Sequence, residues 1–121
     1  MGTYSKIILS GSTDGEGIIV TGLNPSQGTV IHTSVTGAAN SIDEMWVYAW
    51  SSVTTALELS FDFGVTTATG SRFTHTITGD DKKGLVLMIP GLVGRNAKVL
   101  SAYATAVGTV NVFGFVNRFA S

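Results

Sequence analysis

The amino-acid sequence predicts an all-β fold, a single-domain β-sandwich of about eight or nine antiparallel strands that is jelly-roll or immunoglobulin-like. Three observations predict it. Runs of Val, Ile, Thr and aromatic residues recur at roughly 8 to 12 residue spacing, separated by clusters of Gly, Asn, Asp, Ser and Thr. No segment carries a convincing helical apolar period. The chain has 121 residues and no cysteine, which fits one core held by packing and strand pairing alone.

Taken in order, Ile7–Leu9 and Gly17–Thr21 (GIIVT) read as strands flanking the turn-rich loop Ser10–Glu16 (SGSTDGE). Asn24-Pro25-Ser26-Gln27-Gly28 turns the chain into a strand at Thr29–Thr33 (TVIHT). A small-residue loop from Thr36 to Asn40 leads to Glu44–Ser51 (EMWVYAWS). On a period of two, Trp46, Tyr48 and Trp50 share one face of that strand, and Met45, Val47 and Ala49 share the other. Both faces are apolar, so the strand is expected to be central, covered on both sides, with its aromatic stripe in the core.

Leu57–Phe63 alternates Leu57, Leu59, Phe61 and Phe63 against Glu58, Ser60 and Asp62, predicting one packed side and one wet side. Arg72–Thr78 alternates in the same way, with Phe73, His75 and Ile77 on one face. Gly79–Gly84 (GDDKKG) reads as a hairpin loop into Leu85–Ile89. Ala97–Ala104 and Val110–Asn117 look like a closing pair joined across Thr105–Thr109, with Gly108 available for positive φ. Of the two sandwich types the jelly roll is preferred, because eight or more strands and long early loops suit Greek-key crossings. Residues 1–121 form one domain in this reading, with 1–9 a candidate assembly arm. The aromatic end, Phe113, Phe115 and Phe119, predicts a docked C-terminus.

Only 12% of the residues are charged, about half the ~25% usual for soluble domains. With 44% hydrophobic residues, such a chain has trouble keeping its whole surface in water as a monomer, and a place in an assembly is expected. The longest apolar stretch, Gly84–Gly94, is broken by Pro90 and Gly91 and is far shorter than the ~18 residues of a membrane span. Met1–Lys6 lacks the apolar region of a secretory signal, so use without Sec export is expected. Net charge is −1, and the basic residues are scattered apart from Lys82-Lys83, so no nucleic-acid-binding face is expected.

No candidate chemistry survives comparison with a plainer reading. His32 and His75 are the only histidines and read as half-buried structural residues, since a metal site normally wants three or four ligands drawn from His, Cys and carboxylates. The serines and threonines have strand and turn roles, and G-x-S-x-G is missing. Asp14-Gly15-Glu16-Gly17 reads as a solvated loop and lacks the spacing of a calcium loop. Gly15, Gly17 and Gly22 match no phosphate-binding pattern. Glu44, Glu58 and Asp62 are the carboxylates available for glycoside chemistry, but Glu58 and Asp62 are explained as a wet strand face. The expectation is therefore no catalytic residue, no cofactor and no metal. Trp46, Tyr48 and Trp50 carry two readings, core or a stacking platform for a glycan, with Asn40, Asp43 and Asn111 as the nearest polar partners.

Four segments then bear on identity: Ile8–Ile18 (ILSGSTDGEGI), Gly28–Thr33 (GTVIHT), Asp43–Ala49 (DEMWVYA) and Phe113–Arg118 (FGFVNR). Together they resemble small virion proteins of tailed bacteriophages, the decoration or cement proteins that sit on a head shell. The resemblance implies a non-enzymatic β-sandwich, made in the host cytoplasm and located on the capsid surface of the virion. It implies the major capsid protein and further copies of the chain, as a trimer, for partners. The interface is expected to use the N-terminal segment and the aromatic end, through Tyr4, Ile7, Ile8, Phe113, Phe115, Arg118 and Phe119. The alternative is a glycan- or receptor-binding module of a phage tail or baseplate using Trp46, Tyr48 and Trp50. A small hydrolase dependent on His32 or His75 is a third reading.

Overall fold

The structure is a computed structural model that describes residues 2–37, 40–64, 71–78 and 84–120. It is an all-β sandwich of two antiparallel sheets. Among the described residues nine strands run β1 (Thr3–Ile8), β2 (Ile18–Ile19), β3 (Thr29–Thr33), β4 (Ile42–Ser51), β5 (Ala56–Phe63), β6 (Arg72–Thr78), β7 (Val86–Gly94), β8 (Val99–Ala104) and β9 (Val110–Ala120). The first sheet has the order β1-β9-β4-β7, with β2 also pairing β9, and the second has the order β3-β8-β5-β6. We call them sheets A and B.

The pairing is nested, because β2 pairs β9, β3 pairs β8, β4 pairs β7 and β5 pairs β6. A chain paired in that way is one long hairpin, and rolling it up adds the β4–β9 and β5–β8 contacts. That is the strand order of a jelly roll. Nine elements fill eight positions, because β1 lies along residues 115–120 of β9 and β2 along Asn111 and Val112.

Rolling also corrects two local expectations. β8 and β9 belong to different sheets, so they are not a pair; Gly108, at φ 73, sits in the turn that carries the chain between them. β6 and β7 are likewise in different sheets, so the segment joining them closes no hairpin. The charged loop expected there lies at 79–83, outside the described residues, as does part of the small-residue loop at 38–39.

β7 runs through Pro90 to Gly94 instead of stopping at Ile89. It is the edge strand of its sheet, where a proline need not donate to a neighbour. Its register against β4 slips twice, once around Gly91 at φ 88, and bulges of this kind blunt an exposed edge.

The core lies between the sheets. Sheet A contributes Met45, Val47, Ala49, Val110, Val112 and Val116, and sheet B contributes Leu57, Leu59, Phe61, Ile77, Leu100 and Ala102. In β3 a bulge between Val30 and His32 turns two consecutive residues inward, so Ile31 and His32 are both fully buried. Between β1 and β2 the chain leaves sheet A and touches sheet B, where the Gly11 N–H donates to the Ile31 carbonyl at 3.0 Å. A Cβ on Gly11 would stand 2.3 Å from the Val30 carbonyl oxygen, so only glycine permits that approach.

Candidate functional site

β4 is central, as expected, but the core takes its other face. Met45, Val47 and Ala49 are fully buried, whereas Trp46, Tyr48 and Trp50 are half-buried on the outer face of sheet A. The core placement of the aromatic stripe is therefore corrected. Alternation allowed one face inward, and the smaller aliphatic side chains fit the space between the sheets.

Pairing of β4 with β9 sets Phe115 opposite Trp46 and Phe113 opposite Tyr48. Pairing of β1 with β9 sets Tyr4 opposite Phe119 and Ile8 opposite Phe115. The two residue groups that the sequence kept apart, an interface set and an aromatic platform, are thus one continuous surface. Tyr4 is 67% exposed, Ile8 47% and Phe119 41%, so this surface meets water over much of its area. Ile19, Leu87, Pro90 and Val93 extend it across both edges.

Polar contacts hold the middle of the face in one arrangement. The Trp46 indole N–H donates to Glu44 Oε1 at 2.7 Å, and the Asn117 amide donates to the same oxygen at 3.1 Å. The Trp46 and Phe115 rings lie 6.2 Å apart and 6° from parallel, an offset stack. Lys6 Nζ sits 4.7 Å from the Phe115 centroid, within cation–π range. The Trp46 and Asn117 hydrogen bonds hold the Glu44 carboxyl below its ordinary value. Asn117 Oδ1 is buried with no hydrogen-bond partner among the described residues. Phe113 lies on Gly17, where an added Cβ would stand 2.7 Å from the ring, and so glycine spacing at the split edge lets the aromatic lie flat.

Two expected interface residues face the other way. Ile7 is opposite Val116 and packs on the core. Arg118 turns inward to Asp43, its Nε donating to Oδ1 at 2.7 Å and its Nη2 to Oδ2 at 2.9 Å. Strand parity decides both, since residues 113, 115, 117 and 119 face out and 116 and 118 face in.

Asp43 is the centre of a buried polar clamp. Its Oδ2 also accepts from the Val35 N–H at 3.0 Å and lies 2.7 Å from His32 Nε2. The Ser10 N–H donates to His32 Nδ1 at 3.0 Å, so the ring proton is on Nε2 and is donated to Asp43. Burial pushes the Asp43 carboxyl up, but hydrogen bonds from Arg118 and His32, with the charge of Arg118, outweigh it and leave the carboxyl below its ordinary value. Arg118 is raised in turn, through its hydrogen bonds to Asp43. Asp43, fully buried, is therefore withdrawn as a glycan partner.

Ser10, His32 and Asp43 contain the residue types of a nucleophile triad but lack its geometry. Ser10 offers His32 its backbone N–H, while its hydroxyl accepts from the Thr33 N–H at 2.7 Å. A nucleophile must place its oxygen on the imidazole and open to substrate, and His32 is wholly buried. His75 packs edge-on against Phe61 and Phe73. Asp62 is another correction: it is 1% exposed instead of wet, held by Arg72 at 2.6 Å. Glu58 is exposed as expected. Among the described residues no three of His, Asp or Glu group to hold a metal, and no helix is long and apolar enough to cross a membrane.

No protein-family model, curated protein or solved structure matches this chain.

Proposed function

We propose that the protein is a non-enzymatic structural subunit that coats the outer surface of a phage capsid, reinforcing the shell as a decoration or cement protein. The observation that carries this reading is the outer face of sheet A, a pinned aromatic and aliphatic surface running from Tyr4 across Phe115 and Trp46 to Val93. Contiguous apolar surface of this kind marks protein–protein contact. The face serves both self-association, as a trimer, and contact with the major capsid protein. Each copy then needs only modest affinity, because linked copies raise one another's effective concentration.

Light scattering across a dilution series tests it, followed by co-sedimentation with undecorated shells. A stable mass near three times the 12.6 kDa chain, with saturable shell binding, is the expected result. A persistent monomer that leaves shells bare overturns the proposal. Leu9 belongs to the core, so the N-terminal contribution is tested by Tyr4→Ser with Ile8→Ser, not by deleting the segment. The outward-facing, half-buried stripe of Trp46, Tyr48 and Trp50, with Asn111 opposite Trp50, favours the glycan-binding module as the second reading. That reading expects sugar to quench tryptophan fluorescence saturably, and the cement reading expects none.

A further inference from the structure

We infer that the free edge of β1 accepts an extended segment of a partner protein as an added strand, and that this segment carries an acidic residue with an apolar residue two positions away on either side. Sheet A ends in two unlike edges. β7 is blunted by Pro90 and by two register slips. β1 has no proline or glycine and pairs β9 over six consecutive residues, from Thr3 with Ala120 to Ile8 with Phe115, without a slip. Among the described residues no strand pairs with its other side. A regular strand bonded on one side alone turns a row of N–H and C=O groups to solvent, which is the template for strand addition.

β1 also stands clear of the sandwich. Thr3, Tyr4, Ser5 and Lys6 are all exposed, although Thr3 and Ser5 have the inward parity of Ile7, so sheet B does not cover this part of the strand. Lysine is a common guard of sheet edges, but Lys6 turns back across the sheet, its Nζ 4.7 Å from the centroid of Phe115 on β9. The edge is left open along most of its length.

Side-chain alternation gives the chemistry of the occupant. Tyr4, Lys6 and Ile8 share the outer face, and in an added strand the residues opposite them lie on that face with Cβ atoms about 5 Å away. Apolar residues opposite Tyr4 and Ile8 continue the apolar surface, and a carboxylate opposite Lys6 is within reach of its ammonium. The intervening positions face Thr3, Ser5 and Ile7 near water and suit threonine, a polar residue that favours strands. A second copy of β1 fits worse, because the registers that pair most of the strand set the two Lys6 residues opposite or diagonal to each other. The added strand adjoins the docking face, so the inference deepens the assembly reading and rests on it for the identity of the partner.

Amide chemical shifts of the full chain, titrated with the acetylated and amidated peptide Thr-Val-Thr-Glu-Thr-Val-Thr, test it. Saturable shifts of residues 3–8 in the millimolar range are expected, with the lysine-centred peptide Thr-Val-Thr-Lys-Thr-Val-Thr at least about tenfold weaker. Lys6→Glu should reverse that preference. Only every second amide of an added strand faces its neighbour, so of two N-methylated peptides, one modified at both valines and one at the two inner threonines, one should keep binding and the other lose it. Like behaviour of those two, equal binding of the glutamate and lysine peptides, or no saturable shift at residues 3–8 each overturns the inference. Shifts of residues 3–8 on diluting the chain alone would assign the edge to a second copy and overturn it as well. A trimer that coats shells but ignores the peptides leaves the capsid reading standing, whereas peptide binding by a monomer that leaves shells bare removes that reading and not this one.

Discussion

The outer faces of the two sheets are built on the same strand geometry and share one core, yet they present opposite chemistry. On sheet A the outward residues of β1, β4, β7 and β9 are mostly aromatic and aliphatic, with Lys6 and Glu44 drawn into contacts that hold rings in place. On sheet B they include Thr74, Thr76, Glu58, Ser60 and Asp62, of which Ser60 bonds Thr74 at 2.9 Å and Asp62 accepts from Arg72 at 2.6 Å. A face that satisfies its own polar groups is finished in water. The apolar face is not, since Tyr4, Ile8 and Phe119 remain exposed on it.

The largest effect that would test the contrast comes from the clamp that joins the two sheets. Asp43→Ala leaves His32 and Arg118 without their carboxylate and should cost about 3 kcal/mol, the low end for breaking a buried pair because Arg118 reaches water. Urea unfolding followed by probes on both sheets should show one coincident transition; loss of association with stability intact would mean that the clamp belongs to the interface.

Next is the face itself. Trp46→Ser with Phe115→Ser should weaken self-association by a hundredfold or more, about 2.7 kcal/mol, while the paired control Thr74→Ser with Thr76→Ser leaves the mass unchanged. Equal loss from both variants would break the contrast.

Gly91→Ala asks whether the bulged edge supports the face. An L-residue at φ 88 is strained by about 1–2 kcal/mol, and the added methyl would touch Trp46 at an ordinary 3.5 Å. A lower melting temperature with an unchanged indole environment is expected.

The smallest effect is in pH. Because the folded Asp43 carboxyl lies below its ordinary value, the unfolded chain takes up the proton first on acidification. Its contribution to stability is full above the unfolded carboxylate pKa of about 3.9 and drains as pH falls through that value toward the lower folded one. Asp43→Asn should flatten the acid limb of stability against pH. An unchanged limb would assign acid sensitivity elsewhere.

Much of the fold was legible because strand alternation is local. Thr29–Thr33 and Arg72–Thr78 appear with the bounds that their alternation and flanking turns indicate. β7 outran its expected end because an edge position excuses Pro90, and edge position is a property of the sheet. Asp62 was misplaced for a related reason: alternation put it opposite the core, but Arg72 across the strand pair covers it. The candidate face was legible in its residues and not in its unity. Tyr4, Ile8, Phe113, Phe115 and Phe119 stood apart from Trp46, Tyr48 and Trp50 until β9 was seen to lie between β1 and β4. Leu87 and Val93 gave no separate signal, since exposed and buried aliphatics read alike in sequence.

By itself, the sequence determined the all-β class, the alternation of most strands and a shortage of charge, because each depends on neighbours along the chain. Only the tertiary structure decided which side of β4 entered the core, that His32, Asp43 and Arg118 form a clamp and not a site, and that two sets of aromatics share one face. Those outcomes depend on register between strands far apart in sequence, where a shift of one residue exchanges inside for outside.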